Sequence, residues 1–192
     1  LVGSVMALRQ ERLQRLLAYS SIAHAGLLIL GVGAWALSGR SAEGVSDLLF
    51  YLGVYAFMSN GTFGFLKQAG VETRAQLKGR GAAKPASAAA FTVLLFSLAG
   101  IPPTGGFFAK LLVLWRAVDE NLAWPAALAA AAALISLAYY LGMVRDVWLE
   151  EPEGTAPVEA SGPGLVLACA AGALLLGAAP WLMSSLSGTV GK

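Results

Sequence analysis

The sequence predicts an all-α fold, a polytopic bundle of membrane helices in which one transmembrane helix is discontinuous. Composition is the first ground for this. Of 192 residues, 57% are hydrophobic and 12% charged, where a soluble domain averages roughly 45–50% and about 25%. The mean hydropathy is +0.69. Patterning is the second ground: five apolar stretches alternate with polar connections. The third is a Pro- and Gly-rich breaker inside the longest stretch. Together these exclude a disordered chain, a nucleic-acid binder with a basic face, and almost any water-soluble enzyme.

The net charge of +2 is too small to imply an anionic partner. The single cysteine, Cys169, excludes a disulfide framework and a multi-cysteine metal site. The single histidine, His24, leaves no His-rich metal site. The chain opens on Leu1 and carries no signal-peptide pattern. It reads as the ordered remainder, or the C-terminal half, of a longer protein. Residues 1–8 (LVGSVMAL) look like the end of a further helix.

The predicted spans cover residues 16–37, 48–66, 86–118, 124–148 and 164–186. A hydrocarbon core of roughly 30 Å takes about 20 helical residues, and four stretches fit that length. The third does not, since about 33 residues would make a helix of roughly 50 Å. Its centre reads Gly100-Ile-Pro-Pro-Thr-Gly-Gly106. Pro102 and Pro103 lack a backbone donor and disfavour helix in the preceding residue. Gly105 and Gly106 supply free torsions. Two half-helices, about 86–100 and 107–118, are therefore expected around an unwound segment at membrane depth. Unwound backbone survives there only inside protein or beside a water-filled cavity. Broken helices of this kind mark ion and substrate sites in transporters. The alternative is an ordinary proline kink. Residues 67–84 and 150–163 read as polar, mobile connectors.

Loop charge sets the orientation. The segment before the first span (Arg9, Arg12, Arg15), the loop after the second (Lys67, Arg74, Lys78, Arg80, Lys84) and Arg145 fall on one side, nine basic residues in all. The other side holds three: Arg40, Arg116 and Lys192. The positive-inside rule makes the first side cytoplasmic, with loop 67–85 inside and the C-terminus outside.

Lys110 is the one charge that this topology buries in the bilayer. The 11 acidic residues all fall in loops or at span ends. Lys110 lies about 9 residues, roughly 13 Å of helix, short of Asp119. A lysine stem reaches about 6 Å, so snorkelling from that depth is incomplete. Burying it costs several kcal/mol. Desolvation favours the neutral amine, and such a group can exchange a proton in a relay. The alternative is a structural lysine bonding carbonyls freed by the break.

His24 lies about two turns into the first span, in LLAYSSIAHAG. It can shuttle protons, or simply bond a neighbouring helix. Tyr19, Ser20 and Ser21 precede it and could order a water chain or simply satisfy interhelical hydrogen bonds. In the second span Tyr51, Tyr55 and Ser59 recur at four-residue spacing and share a face. With Asn60 and Thr62 they form a polar stripe that should avoid lipid. Tyr19, Ser20, Tyr55, Ser59 and Asn60 are the candidate path-lining residues, and Lys110 and His24 the candidate proton carriers. The fourth span, with Ser136, Tyr139 and Tyr140, reads as packing, as does the fifth with Cys169. No P-loop, dinucleotide fingerprint, metal-ligand spacing or catalytic triad set occurs.

RLLAYSSIAHAG (15–26) and SLAGIPPTGGFFAK (97–110) resemble two signatures of the antiporter-like proton-translocating membrane subunits of respiratory complex I and their Mrp cation/proton antiporter relatives. They occur in the family's order, and the resemblance covers essentially the whole chain. SSIAH, with a lysine after GGFFA, is most like the N-type members. The resemblance implies that this chain holds most of the second inverted repeat of a longer subunit, with its last helix. It places the family's broken helix on 86–118 and its membrane lysine on Lys110. It implies no cofactor in this chain, with NADH, flavin, iron–sulfur clusters and quinone in partner subunits. The implied partners are the other membrane subunits, neighbouring antiporter-like ones among them, and the lipid bilayer. The implied location is the bacterial inner membrane. Gln14 stands where the family usually has lysine, which weakens any claim for a cytoplasmic uptake lysine there. Other members carry His and Lys in the helix matching the second span, where this chain has Asn60 and Thr62. The two alternatives are a Mrp-type antiporter subunit and a structural helix bundle of a membrane complex.

Overall fold

The computed structural model describes residues 1–152 and 162–178. In chain order the helices are α1 (Val2–Ala7), α2 (Leu13–Leu37), α3 (Ala42–Ala69), α4 (Arg74–Leu77) and α5 (Arg80–Ala83). They continue as α6 (Pro85–Ala99), α7 (Gly105–Asp119), α8 (Ala123–Trp148) and α9 (Gly164–Ala178). α2, α3 and α8 are each long and apolar enough to cross a bilayer. α6 and α7 are the two halves of the interrupted stretch. The end of the fifth expected span and most of the connector before it lie outside the described residues.

Local chemistry explains the boundaries. Ser41 starts α3 by accepting the Gly44 N–H, an N-cap bond that stabilises a helix by about 1 kcal/mol. Gly70 ends α3 in the left-handed conformation, at φ 61°, where a Cβ would be strained. Pro85 opens α6, where its missing N–H is no loss.

Segment 67–84 differs from the mobile loop expected of it. α3 runs on to Ala69, and α4 and α5 fill most of the remainder. Thr73 and Gln76 form a capping box, and Leu77 is fully buried. An antiparallel bridge joins Arg12 to Thr73 through Leu13 N–H to Glu72 O and Arg74 N–H to Glu11 O. The Arg74 guanidinium meets the Asp146 carboxylate at 2.6 Å. Arg80, itself buried, donates to the Ala69 carbonyl at 2.9 Å. The basic run reads as a mobile connector, but here Arg80 bonds the end of α3 and Arg74 pairs with acid, so the segment folds.

The start of α2, the end of α3 and the end of α8 thus meet at one end of the bundle, the basic end. At the other end Arg116 of α7 binds Asp47 of α3 at 2.6 Å. Between these ends the core is mostly apolar, with a few buried polar side chains. Phe65 stacks on Phe91 with centroids 4.0 Å apart. α9 packs on α3, α6 and α7, with Cys169 buried against Gly61.

Candidate functional site

The helix break organises the site. α6 stops at Ala99 because Gly100 turns left-handed, at φ 85°. The Gly100 N–H returns to Phe96 O and Ser97 O, and the Ile101 N–H to Phe96 O. Pro102 and Pro103 follow, and the Thr104 hydroxyl closes the turn on Ile101 O at 2.7 Å. Gly105 and Gly106, expected in the unwound segment, are instead the first two residues of α7. Close approach, not torsional freedom, explains glycine at 106. A Cβ there would collide with the Ser97 carbonyl oxygen. The Gly106 N–H uses the same crossing to donate to Ser97 Oγ at 3.1 Å.

Lys110 lies just over a turn into α7, and its side chain runs back to the end of α6. Its Nζ donates to Leu98 O at 2.6 Å and Ala99 O at 3.0 Å. These are carbonyls that a helix end leaves unpaired, and a cation is favoured at that end of the helix dipole. Lys110 is 7% exposed. Charge-assisted bonds stabilise by about 1.5–3 kcal/mol each, which offsets much of the burial cost. An ammonium has three donors, and two are occupied here.

His24 of α2 is 4% exposed. Its Nδ1 shares a 2.7 Å hydrogen bond with the Tyr51 hydroxyl. The Tyr55 ring lies 4.9 Å from the imidazole, centroid to centroid. His24 and Lys110 line one cleft of about 350 Å³ between α2 and α8, with Ser136 and Tyr139 on its α8 wall. The two expected proton carriers, far apart in sequence, therefore meet one cavity.

The expected path-lining residues divide. The Tyr55 hydroxyl donates to Ser21 Oγ at 2.9 Å. Ser20 and Ser21 both donate to Leu17 O, so their protons are committed to backbone. Tyr55, Ser59, Ser20, Ser21 and Thr62 surround a void of only about 10 Å³, the lower limit for one water. Tyr19 is half-buried and faces a separate depression of about 380 Å³ beside Arg15 and Gln10. Asn60 is exposed and donates to Ala56 O at 2.8 Å. One residue past Ser59 it is rotated about 100° around the helix, so within this chain it does not join the others.

The sequence reading missed two features. Tyr51 belonged to the recognised stripe, yet its role as the partner of His24 needs the α2–α3 register. Tyr139 and Tyr140, read as packing, are buried with hydroxyls that have no hydrogen-bond partner in the described residues.

Comparison with known proteins places this geometry in a family. Residues 1–136 match the family described as NADH:quinone oxidoreductase/Mrp antiporter, TM. The NADH-quinone oxidoreductase subunit N of Alkalilimnicola ehrlichii is 40% identical over 93% of this chain and 37% of its own length. That of Salinibacter ruber is 38% identical over 92% and 38%. The chain thus spans under two-fifths of the length of these relatives. Among solved structures, a chain of respiratory complex I from Thermus thermophilus with bound Aureothin superposes with a TM-score of 0.79. It is 31% identical, and the match covers 94% of this chain and 41% of that one. A chain of the Mrp complex from Dietzia sp. DQ12-45-1b superposes at 0.85, covering 99% and 44%. At 23% identity that likeness speaks for the fold alone. With its interrupted helix, its buried lysine and a family match over most of its length, this chain belongs to the NADH:quinone oxidoreductase/Mrp antiporter transmembrane family.

Proposed function

We propose that this chain forms part of a proton-translocating membrane subunit of an NADH–quinone oxidoreductase. The observation that carries the reading is Lys110. It is a buried amine held at a helix break, on the wall of a cleft that also holds His24. The relatives of 38–40% identity named above are subunits N, which favours the oxidoreductase over a stand-alone antiporter.

The chemistry asked of this chain is proton transfer. NADH oxidation and quinone reduction belong to partner subunits. Two carbonyls fix the Lys110 amine in place, and its remaining N–H is available to water or His24 across the cleft. Loss of the proton weakens the grip on the α6 carbonyls. A changing charge in a neighbouring subunit can therefore act on Lys110 through its protonation. Moving one charge through the membrane costs about 2.3 kcal/mol per 100 mV, so such driving is required. The nine-to-three division of basic residues supports the basic end as cytoplasmic, in a bacterial inner membrane. Neighbouring membrane subunits are the partners.

The test is NADH-driven proton uptake by membrane vesicles at matched complex content. Lys110→Ala should assemble, since the lost cap and the relieved burial cost oppose each other. It should reduce pumping and the quinone reduction coupled to it. Lys110→Arg should substitute poorly, because guanidinium stays charged. Parental pumping by both variants would reduce Lys110 to a structural cap. Purification without flavin and iron–sulfur subunits would favour the antiporter reading.

A further inference from the structure

A second polar cluster lies beside the cleft, on the face of α8 that read as packing. Ser136, Tyr139 and Tyr140 sit at three- and four-residue spacing and share that face. All three are buried, as are Ser4 of α1 and Ser20 of α2. Ser4, Ser136 and Tyr140 surround the Tyr139 hydroxyl, and Ser20 lies beside that of Tyr140. The two tyrosine rings are 4.5 Å apart. None of these neighbours reaches hydrogen-bonding geometry with either tyrosine, and the Ser4 hydroxyl is equally unpartnered. Ser20 and Ser136 spend their protons on Leu17 O and Ala133 O, which leaves their oxygens as acceptors only.

Three orphan hydroxyls in so small a volume are not a packing solution. Each unsatisfied buried hydroxyl carries the desolvation penalty of an unmade hydrogen bond, and phenylalanine and alanine would fill the same space without that cost. Buried polar groups of this kind are satisfied by ordered water, which needs two to four polar partners. The cluster supplies them. It also opens onto the cavity, since Ser136 and Tyr139 line the cleft shared by His24 and Lys110. Ser20 lies one turn from His24 toward the basic end. The cluster therefore stands between the cleft and that end of the bundle.

We infer that the Ser4–Tyr139–Tyr140 cluster is a water-binding site that feeds protons from the basic end into the His24–Lys110 cleft. The water-binding part stands on the hydroxyls themselves, and the proton route rests on the relay proposed above. Hydroxyls serve this role because each can accept one proton and donate another without changing charge. The polar stripe on α3 cannot serve, since its void barely admits one water.

The test uses the complete subunit in its assembled complex. A structure resolving ordered water should show molecules bridging Ser4, Tyr139 and Tyr140 and continuing into the cleft. Tyr139→Phe/Tyr140→Phe preserves ring packing and removes both hydroxyls. It should lower NADH-driven pumping about tenfold, equal to losing a hydrogen bond worth roughly 1.4 kcal/mol in the limiting step. If that variant fails to assemble, Ser4→Ala removes one partner with little volume and is read the same way. A dry cluster overturns the inference. Parental pumping by the tyrosine variant, where Lys110→Ala pumps poorly, overturns the route and leaves the relay intact. Parental pumping by Lys110→Ala and Lys110→Arg overturns the relay reading, and the route falls with it.

Discussion

His24 Nδ1 and the Tyr51 hydroxyl are 2.7 Å apart, buried between α2 and α3. A hydrogen bond to one imidazole nitrogen fixes the tautomer and directs the other nitrogen. Here the imidazole lines the same cleft as Lys110. Tyr51→Phe should leave the fold assembled, at a cost of about 1–3 kcal/mol for the unpaired imidazole nitrogen. It should slow pumping while leaving complex content unchanged. Parental pumping in Tyr51→Phe would mean that His24 needs no fixed orientation.

The Gly106–Ser97 contact predicts a steep cost for a single methyl group. Gly106→Ala would drive Cβ into Ser97 O, so α7 must move away from α6. Overpacking of this kind costs about 1–3 kcal/mol or more. The movement also draws Lys110 from its two carbonyls. Assembly or thermal stability of the detergent-purified complex should fall measurably. Gly53→Ala meets nothing within 4 Å and serves as the control. Equal stability of the two variants would remove the close crossing as a constraint.

Helices and their break were legible because hydropathy, proline and glycine act locally. The left-handed turn at Gly100 and the stop at Ala99 follow from the sequence around them. Lys110 and His24 stood out because ionisable groups are rare at bilayer depth. What the sequence hid depends on register between helices. Asn60 and Ser59 are neighbours in sequence, yet only Ser59 faces the bundle. Tyr140 looks apolar in an alanine tract, and only tertiary packing shows that its hydroxyl lacks a partner. The basic run 67–84 looked like solvent-exposed charge because its partners, Asp146 above all, lie far along the chain.

Arg74 and Asp146 give a direct stability test. Asp146 is 2% exposed, and both its oxygens face guanidinium groups, of Arg74 and Arg145. Breaking a fully buried pair by removing one partner costs about 3–5 kcal/mol, and with Arg74 24% exposed the cost here falls below that range. Asp146→Asn should therefore destabilise the subunit more than Arg145→Gln, whose side chain is largely exposed. Arg74→Gln should also destabilise, but with Arg145 still facing the buried carboxylate the loss is partial. A double-mutant cycle on 74 and 146 should show strong coupling. Additive effects on thermal denaturation would mean that the pair holds nothing together.

Orientation is open to chemical labelling. The start of α2, the end of α3 and the end of α8 share the basic end through the Arg12–Thr73 bridge and the Arg74–Asp146 pair. α7 ends at the opposite end, where Arg116 meets Asp47. Ala75 and Asp119 are exposed residues at the two ends. Cys169→Ala removes the single native thiol of this chain. In that background Ala75→Cys should react with an impermeant maleimide only from the cytoplasmic face, and Asp119→Cys only from the outer face. The positive-inside rule sets this direction, because the basic end carries nine of the 13 cationic residues. The inverse labelling would reverse the orientation and place the hydroxyl cluster on the outer side of the Lys110 cleft. Labelling of both positions from one face would break the alternation of spans, which no rearrangement of loops could restore.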